Sequence, residues 1–265
     1  MLQSKVALGA ALGGAFVLGA IVVAYSSAQT EPEPQMAETM THAPAQKVTT
    51  SFSKLQEEEI GELVRAYLME NPEVIIDAVN KYSYEQRVVA EERMKMSAAE
   101  NLQALLDPKT SFVAGKTPDK AKVAVTEMYD YHCGYCKSAA PLMNDIYKKD
   151  GEVKLVFREL PILREESDYA AEMALAARDQ GKFLDLHFAM LEASGVLTKD
   201  RVESIAKKQG LDVAKMQEAI KRDRIPDIIT ANHMMASELG IEGTPAFIVA
   251  AIDGSYIEVV PGFDK

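Results

Sequence analysis

Between Ala121 and Pro161 the chain reads strand, helix, strand, and that order constrains the fold more than any other stretch. Val123, Ala124, Val125, Thr126, Glu127, Met128 and Tyr129 form a mostly apolar run that predicts a strand. A helical pattern follows through Ala139, Ala140, Leu142, Ile146 and Tyr147, and residues 153–160 predict a second strand ending at Pro161. Two strands joined by a helical crossover form a parallel pair. Helical patterns then occupy residues 165–180, 183–193, 199–208, 213–221 and 226–239. Residues 247–252 and 256–260 predict a closing hairpin that turns at Asp253-Gly254. The sum is an α/β domain over residues 109–265, split by an inserted helical lobe at about 164–240.

The start of the chain predicts export. Lys5 precedes twenty uncharged residues, 6–25, and Glu31 and Glu33 follow, which keeps the positive end in the cytoplasm. Ser26, Ser27 and Ala28 suit cleavage of a signal peptide over residues 1–28, while the length of the apolar stretch suits a retained membrane anchor. The nearest cysteine is far downstream, so a lipid anchor on cysteine is excluded. Residues 29–51, with Pro32, Pro34 and Pro44 and almost no large apolar side chain, predict a flexible linker.

Residues 52–108 read as helical. Ser53 and Gln56 form a capping-box pattern ahead of Ile60, Leu63, Val64 and Leu68. Asn71 is an N-cap candidate and Pro72 suits a first turn, so a second helix starts there and runs unbroken to about Leu106. Such a helix spans about 50 Å, more than a small domain needs. It either packs on its own catalytic domain or forms an oligomerising stalk, and its length favours the stalk. The heptad is imperfect: steps of seven from Ile75 give Tyr82, Val89 and Met96, but Glu85 and Glu92 intervene.

Charge narrows the function. The net charge of −11 and the lack of any basic run argue against nucleic-acid binding. The only two cysteines lie together in Cys133-Gly134-Tyr135-Cys136. As a structural staple this pair would be poor, because so short a loop restricts the unfolded chain by roughly 2 kcal/mol, against ~4.7 for a loop of 100 residues. A closed zinc site needs four ligands, and the four histidines are scattered without a second CxxC. Covalent haem needs a histidine after the second cysteine, where Lys137 stands. Redox chemistry is the reading left strongest.

The pair also falls where a strand ends and a helix begins, so free N–H groups and the positive helix end favour a thiolate at Cys133. Cys133 is then the attacking thiol and Cys136, a turn inside the helix, the resolving one. His132 either adds positive charge beside the thiolate or is an exposed loop residue. Glu127 amid Val123, Val125 and Met128 is costly on a buried strand without a purpose; the plain alternative is a strand-edge residue facing water.

Three motifs, MYDYHCGYCKSA at 128–139, FRELPIL at 157–163 and GTPAF at 243–247, resemble the DsbA-type thioredoxin-fold proteins in that family's order. The N-terminal helices resemble the extension of its ScsC-like and Com-type periplasmic subgroup. The resemblance covers the chain from about Leu55 and implies a thioredoxin fold with a helical insertion, in the periplasm or cell envelope, tethered to the inner membrane if residues 6–25 are retained. It implies that Pro245 is a cis-proline facing the cysteines, that Thr244 presents backbone to a substrate peptide, and that Glu127 assists proton transfer at Cys136. It implies a homodimer or homotrimer built on the N-terminal helices.

The activity implied is disulfide formation or isomerisation in exported client proteins that contain cysteines. No cofactor and no metal are called for, and a membrane or soluble redox partner resets the pair. The Gly-Tyr dipeptide between the cysteines does not decide between oxidant and isomerase. Competing readings are a non-catalytic chaperone or binding module and a metal carrier on the same fold. Family members continue past Pro261-Gly262 into a helix that covers the sheet; here Lys265 is the last residue, which predicts a truncation or cover from a neighbouring chain.

Overall fold

The computed structural model describes residues 51–115 and 117–263. The expected export segment and almost all of the linker lie outside these residues. Among the described residues, no helix is long and apolar enough to cross a membrane. The chain divides into two units after Val64.

Helix α1 (Lys54–Glu70) begins with the expected capping box. The Gln56 carboxamide oxygen accepts from the Ser53 backbone N–H at 2.9 Å, and the Ser53 hydroxyl accepts from the Gln56 N–H at 3.4 Å. Asn71 does not cap the next helix. Its amide donates to the Tyr67 carbonyl at 2.9 Å and so closes α1, leaving Pro72 at the entry to α2 (Glu73–Glu100). Nor does α2 reach Leu106. It breaks at Asn101, whose side chain bonds the Ser97 carbonyl and the Glu238 carboxylate, each at 3.0 Å, before the short α3 (Leu102–Leu105). Asparagine offers the backbone a competing partner, which is why it favours helix ends.

The sheet follows: β1 (Phe112–Ala114), β2 (Val123–Tyr129), β3 (Val153–Glu159), β4 (Ala246–Ala251) and β5 (Ile257–Pro261), in spatial order β1-β3-β2-β4-β5. Strands β2 and β3 pair in parallel, Val125 opposite Leu155, and the other pairs are antiparallel. Strand β1 was not foreseen, because three residues are too few to show a period. It ends at Gly115, where φ is +141° and an added Cβ would lie 2.8 Å from the Val153 carbonyl oxygen. Helix α4 (Gly134–Lys149) makes the crossover between β2 and β3. Helices α5 (Glu165–Ala176), α6 (Phe183–Glu192), α7 (Lys199–Lys208), α8 (Val213–Arg222) and α9 (Ile225–Glu238) form the insertion between β3 and β4.

Alternation along the strands divides the core. On one face Tyr129, Leu155, Phe157 and Phe247 pack with Cys136, Ala139, Ala140 and Met143 of α4 and with the inserted helices. On the other, Met128, Ala246, Ile248 and Val259 pack under Ala98, Leu105, Ala236 and Leu239. The end of α2 and α3 therefore belong to the core of the α/β unit, and a boundary at 108 cuts through packed residues. Arg158 fixes this junction: its guanidinium donates to the Leu105 carbonyl at 2.9 Å, to Thr110 Oγ1 at 2.9 Å, to Asn232 Oδ1 at 2.6 Å and to the Ala104 carbonyl. A buried guanidinium thus takes up the orphan carbonyls at the end of α3.

Apolar side chains stay open at the end of β5 and along α1 and α2, among other places. At the far end of β5, Val260 is 44% exposed, and Phe263 packs on Phe247 with ring centroids 6.3 Å apart. Along α2 only Ala98 is buried, while Ile75, Val79, Tyr82, Val89 and Met96 are all exposed.

Candidate active site

Strand β2 delivers the chain into a tight turn, 130–133, from which α4 starts. The Cys133 N–H donates to the Asp130 carbonyl at 3.0 Å. Cys133 has extended φ and ψ of −73° and 120°, and its sulfur accepts the Cys136 backbone N–H at 3.4 Å. The sulfur occupies the N-cap position, where a serine or aspartate oxygen normally satisfies the orphan donors of the first turn. On its other side the Cys133 thiol donates to the Thr244 carbonyl at 3.1 Å. The Thr244–Pro245 peptide bond is cis. Both cysteines are free thiols, Cys133 nearly buried and Cys136 wholly so, with Tyr135 exposed between them.

The two thiols are driven apart electrostatically. Hydrogen bonding from the Cys136 thiol is the largest effect on Cys133 and, with help from Thr244 and the Cys136 and Tyr135 backbone, it outweighs burial and brings its pKa down to about 6. Among the described residues the Thr244 hydroxyl has no hydrogen-bond partner, so it is free to turn toward the charged sulfur. Burial, together with the bond it donates to Cys133, pushes the Cys136 thiol well above its ordinary range. One sulfur is poised as a thiolate and its neighbour holds its proton.

Glu127 lies on the face of β2 that carries α4 and is 1% exposed, so the strand-edge alternative does not hold. Among the described residues neither carboxyl oxygen has a hydrogen-bond partner. Burial first, and the charge on Cys133 second, push its pKa up to about 8. It is a protonated acid at neutral pH, within electrostatic reach of both sulfurs.

His132 corrects the sequence expectation on both counts. Its side chain is 4% exposed, so it is not an exposed loop residue. Burial holds its pKa down, so it does not supply a positive charge beside the thiolate either. Its Nε2 accepts the Leu197 N–H at 2.9 Å, which places the proton on Nδ1, 2.8 Å from Ser167 Oγ. The ring is a neutral strut between the cysteine turn and the inserted lobe.

Residues the sequence reading missed surround the site. Glu159, buried at the end of β3, accepts from the Tyr129 hydroxyl at 2.5 Å and the Tyr131 hydroxyl at 3.2 Å, and Tyr131 also meets His187 Nδ1 at 3.0 Å. The signal was weak: β3 also carries Lys154 and Arg158, whereas Glu127 is the single charge in β2. Asp130 gave no such signal, since an aspartate after a strand reads as an ordinary turn residue. Among the described residues no cluster of three or more metal-ligating side chains occurs.

The site sets a pH profile. Alkylation of reduced protein by iodoacetamide, followed by mass spectrometry, is expected to modify Cys133 with a midpoint near pH 6, while Cys136 stays unmodified until the protein unfolds. Because the folded thiol ionises below the unfolded one, at about 8.5, its contribution to the stability of the reduced protein is complete above the unfolded pKa. That contribution is lost as pH falls through about 6. A midpoint at 8 or higher would contradict the geometry.

Residues 124–265 match the DSBA-like thioredoxin domain, and residues 56–87 match the Copper resistance protein ScsC N-terminal domain. The thiol-disulfide exchange protein alpha-DsbA2 of Wolbachia pipientis is similar, with a TM-score of 0.58 at 27% identity over 66% of this chain and 91% of that one. BcfH of Salmonella enterica Typhimurium is similar with a TM-score of 0.65 at 26% identity, over 80% of this chain and 91% of that one. The chain is 31% identical over 152 residues, 56% of its length, to Na(+)/H(+) antiporter NhaA 1 of Salinispora arenicola. It spans 23% of that protein, and about a quarter of the length of the curated relatives it matches. With more than half of its residues under the first of these matches, the chain belongs to the DSBA-like thioredoxin domain family.

Proposed function

We propose that the chain exchanges disulfides with exported, cysteine-containing proteins through a mixed disulfide at Cys133. The observation that carries this is the Cys133 sulfur, capping α4 beside the Thr244 carbonyl with its pKa brought down to about 6. In the oxidising direction a client thiolate attacks the Cys133 sulfur of the oxidised pair, and the electron pair of the broken S–S bond leaves on Cys136, which takes up a proton. A second client thiolate then attacks the client sulfur of the mixed disulfide, and Cys133 leaves as a stabilised thiolate. Two electrons have passed from client to protein, and a membrane or soluble redox partner removes them. In the isomerising direction the Cys133 thiolate attacks a mispaired client disulfide, and Cys136 is held back by its proton until another client thiol has had time to resolve the link.

Glu127, once ionised, is the base that takes the Cys136 proton when Cys136 must attack; its lack of any hydrogen-bond partner suits that task. Among the described residues the Thr244 backbone N–H has no partner, and Thr244 sits beside the sulfur, which suits pairing with an extended client peptide. The apolar segment at residues 6–25 supports a place in the periplasm or cell envelope.

The exposed side chains of α2 support a homodimer or homotrimer. A step of four and three from Ile75 passes through Val79, Tyr82, Gln86, Val89, Arg93 and Met96, a better seam than the register through Glu85 and Glu92. So apolar a stripe is costly to leave in water, at about 25 cal/mol per Å². Several active sites carried on one stalk suit clients with more than one wrong disulfide.

Cys136→Ser protein mixed with a small client carrying scrambled disulfides is expected to form an adduct at Cys133 that thiol reductant releases, and Cys133→Ser is expected to form none. Absence of the adduct would sink the reading. Sedimentation of the purified chain is expected to show a dimer or trimer that Ile75→Glu with Tyr82→Glu reduces to monomer; a wild-type monomer would refute the stalk.

A further inference from the structure

Every polar group of Asp130 is spent on the cysteine turn. Its backbone hydrogen-bonds toward the Cys136 sulfur, and its carbonyl accepts the Cys133 N–H at 3.0 Å. Its carboxylate accepts four donors: Oδ1 takes the His132 N–H at 2.7 Å and the Ser167 hydroxyl at 2.9 Å, and Oδ2 takes the Ile162 and Leu163 N–H groups, each at 2.9 Å. Four donors fill the lone-pair positions of a carboxylate. The side chain is 0% exposed.

The donors come from three places: the cysteine turn, the loop after β3 and the first turn of α5. Ser167 carries the chain onward, since its oxygen also accepts from His132 Nδ1–H, and His132 Nε2 accepts the Leu197 N–H from the loop between α6 and α7. Lys137 of α4 donates to the Ala193 carbonyl of that same loop. One carboxylate therefore joins the turn that aims Cys133 to the inserted lobe that flanks it.

We propose that the Asp130 carboxylate, through Ser167 and His132, is a positioning residue for the cysteine pair, holding the 130–133 turn so that the Cys133 sulfur stays on the N-terminus of α4. The proposal rests on Cys133 being the attacking thiol. Asparagine keeps the shape of the side chain but exchanges one acceptor oxygen for a donor. In Asp130→Asn either the Ile162 and Leu163 N–H groups or the His132 N–H and Ser167 hydroxyl meet an N–H₂ instead of an oxygen. The turn then relaxes and the sulfur loses its cap.

The test is the pH profile of Cys133 alkylation, with thermal unfolding measured alongside. The wild-type midpoint tests the reading of Cys133, and the difference made by Asp130→Asn tests the inference, so the two fail separately. Asp130→Asn is expected to raise the midpoint and to slow alkylation at pH 6 about threefold or more, as a smaller thiolate fraction requires. Asn232→Ala is the comparator: it breaks buried bonds to Arg158 and to the Glu159 carbonyl but touches neither Asp130 nor its donors, and it is expected to lower the melting temperature with the wild-type midpoint kept. Should Asp130→Asn not fold, Ser167→Ala, which removes one of the four donors to the carboxylate and the acceptor of His132 Nδ1–H, is expected to slow alkylation at pH 6 about twofold. A wild-type midpoint in the folded Asp130→Asn protein, or in Ser167→Ala where the first does not fold, would overturn the proposal. An equal shift in Asn232→Ala would overturn it too, because Asp130 would then act only through general stability.

Discussion

The bond on which the site turns is the weak one from the Cys136 N–H to the Cys133 sulfur. A helix must satisfy its first N–H groups, and here the group that does so is also the group that must carry charge. Capping and acidification share donors: the backbone N–H groups that stop the helix from fraying also favour the thiolate, after the larger effect of the Cys136 thiol. The neighbouring cysteine adds its own proton to the same sulfur and is left, by burial, with a thiol that ionises only with difficulty. An asymmetric pair follows from the backbone geometry of the first turn together with the Cys136 thiol, whose hydrogen bond is the largest effect on the Cys133 sulfur.

The fold exists around that geometry in a direct sense. The parallel pair of β2 and β3 requires a crossover, the crossover is α4, and the first residue of the crossover lies at the end of a strand. Antiparallel β4 then brings the Gly243–Phe247 loop alongside, so that Thr244 faces the sulfur from another part of the sequence. The buried acids have separate places in this arrangement. Glu127 is unpartnered and protonated, Asp130 is fully bonded, and Glu159 is clasped by two tyrosines at the inserted lobe.

Much of this was legible. The 123–129 strand, the 199–208 helix and the hairpin at Asp253-Gly254 follow from period and turn chemistry, and the structure places them there. Period says nothing about three-residue elements, which hid β1, and propensity alone could not show that Asn101 would find Ser97 and Glu238 and break α2. The cysteine pair was evident from its spacing. The state of His132 was not, because it depends on Leu197 and Ser167, which lie 65 and 35 residues away. Glu159 left little mark, because Lys154 and Arg158 share its strand. Asp130 left none, since its four donors come from segments that only the fold brings together.

The proposed exchange requires the two cysteines to form a labile pair rather than a staple. The reduction potential of Cys133–Cys136, measured against a glutathione redox series, tests it most directly. A thiolate stabilised at the helix terminus favours the reduced form, so the account predicts a potential near or above about −180 mV, the range of disulfide-forming and isomerising catalysts. A potential below about −300 mV, typical of structural disulfides, would contradict it.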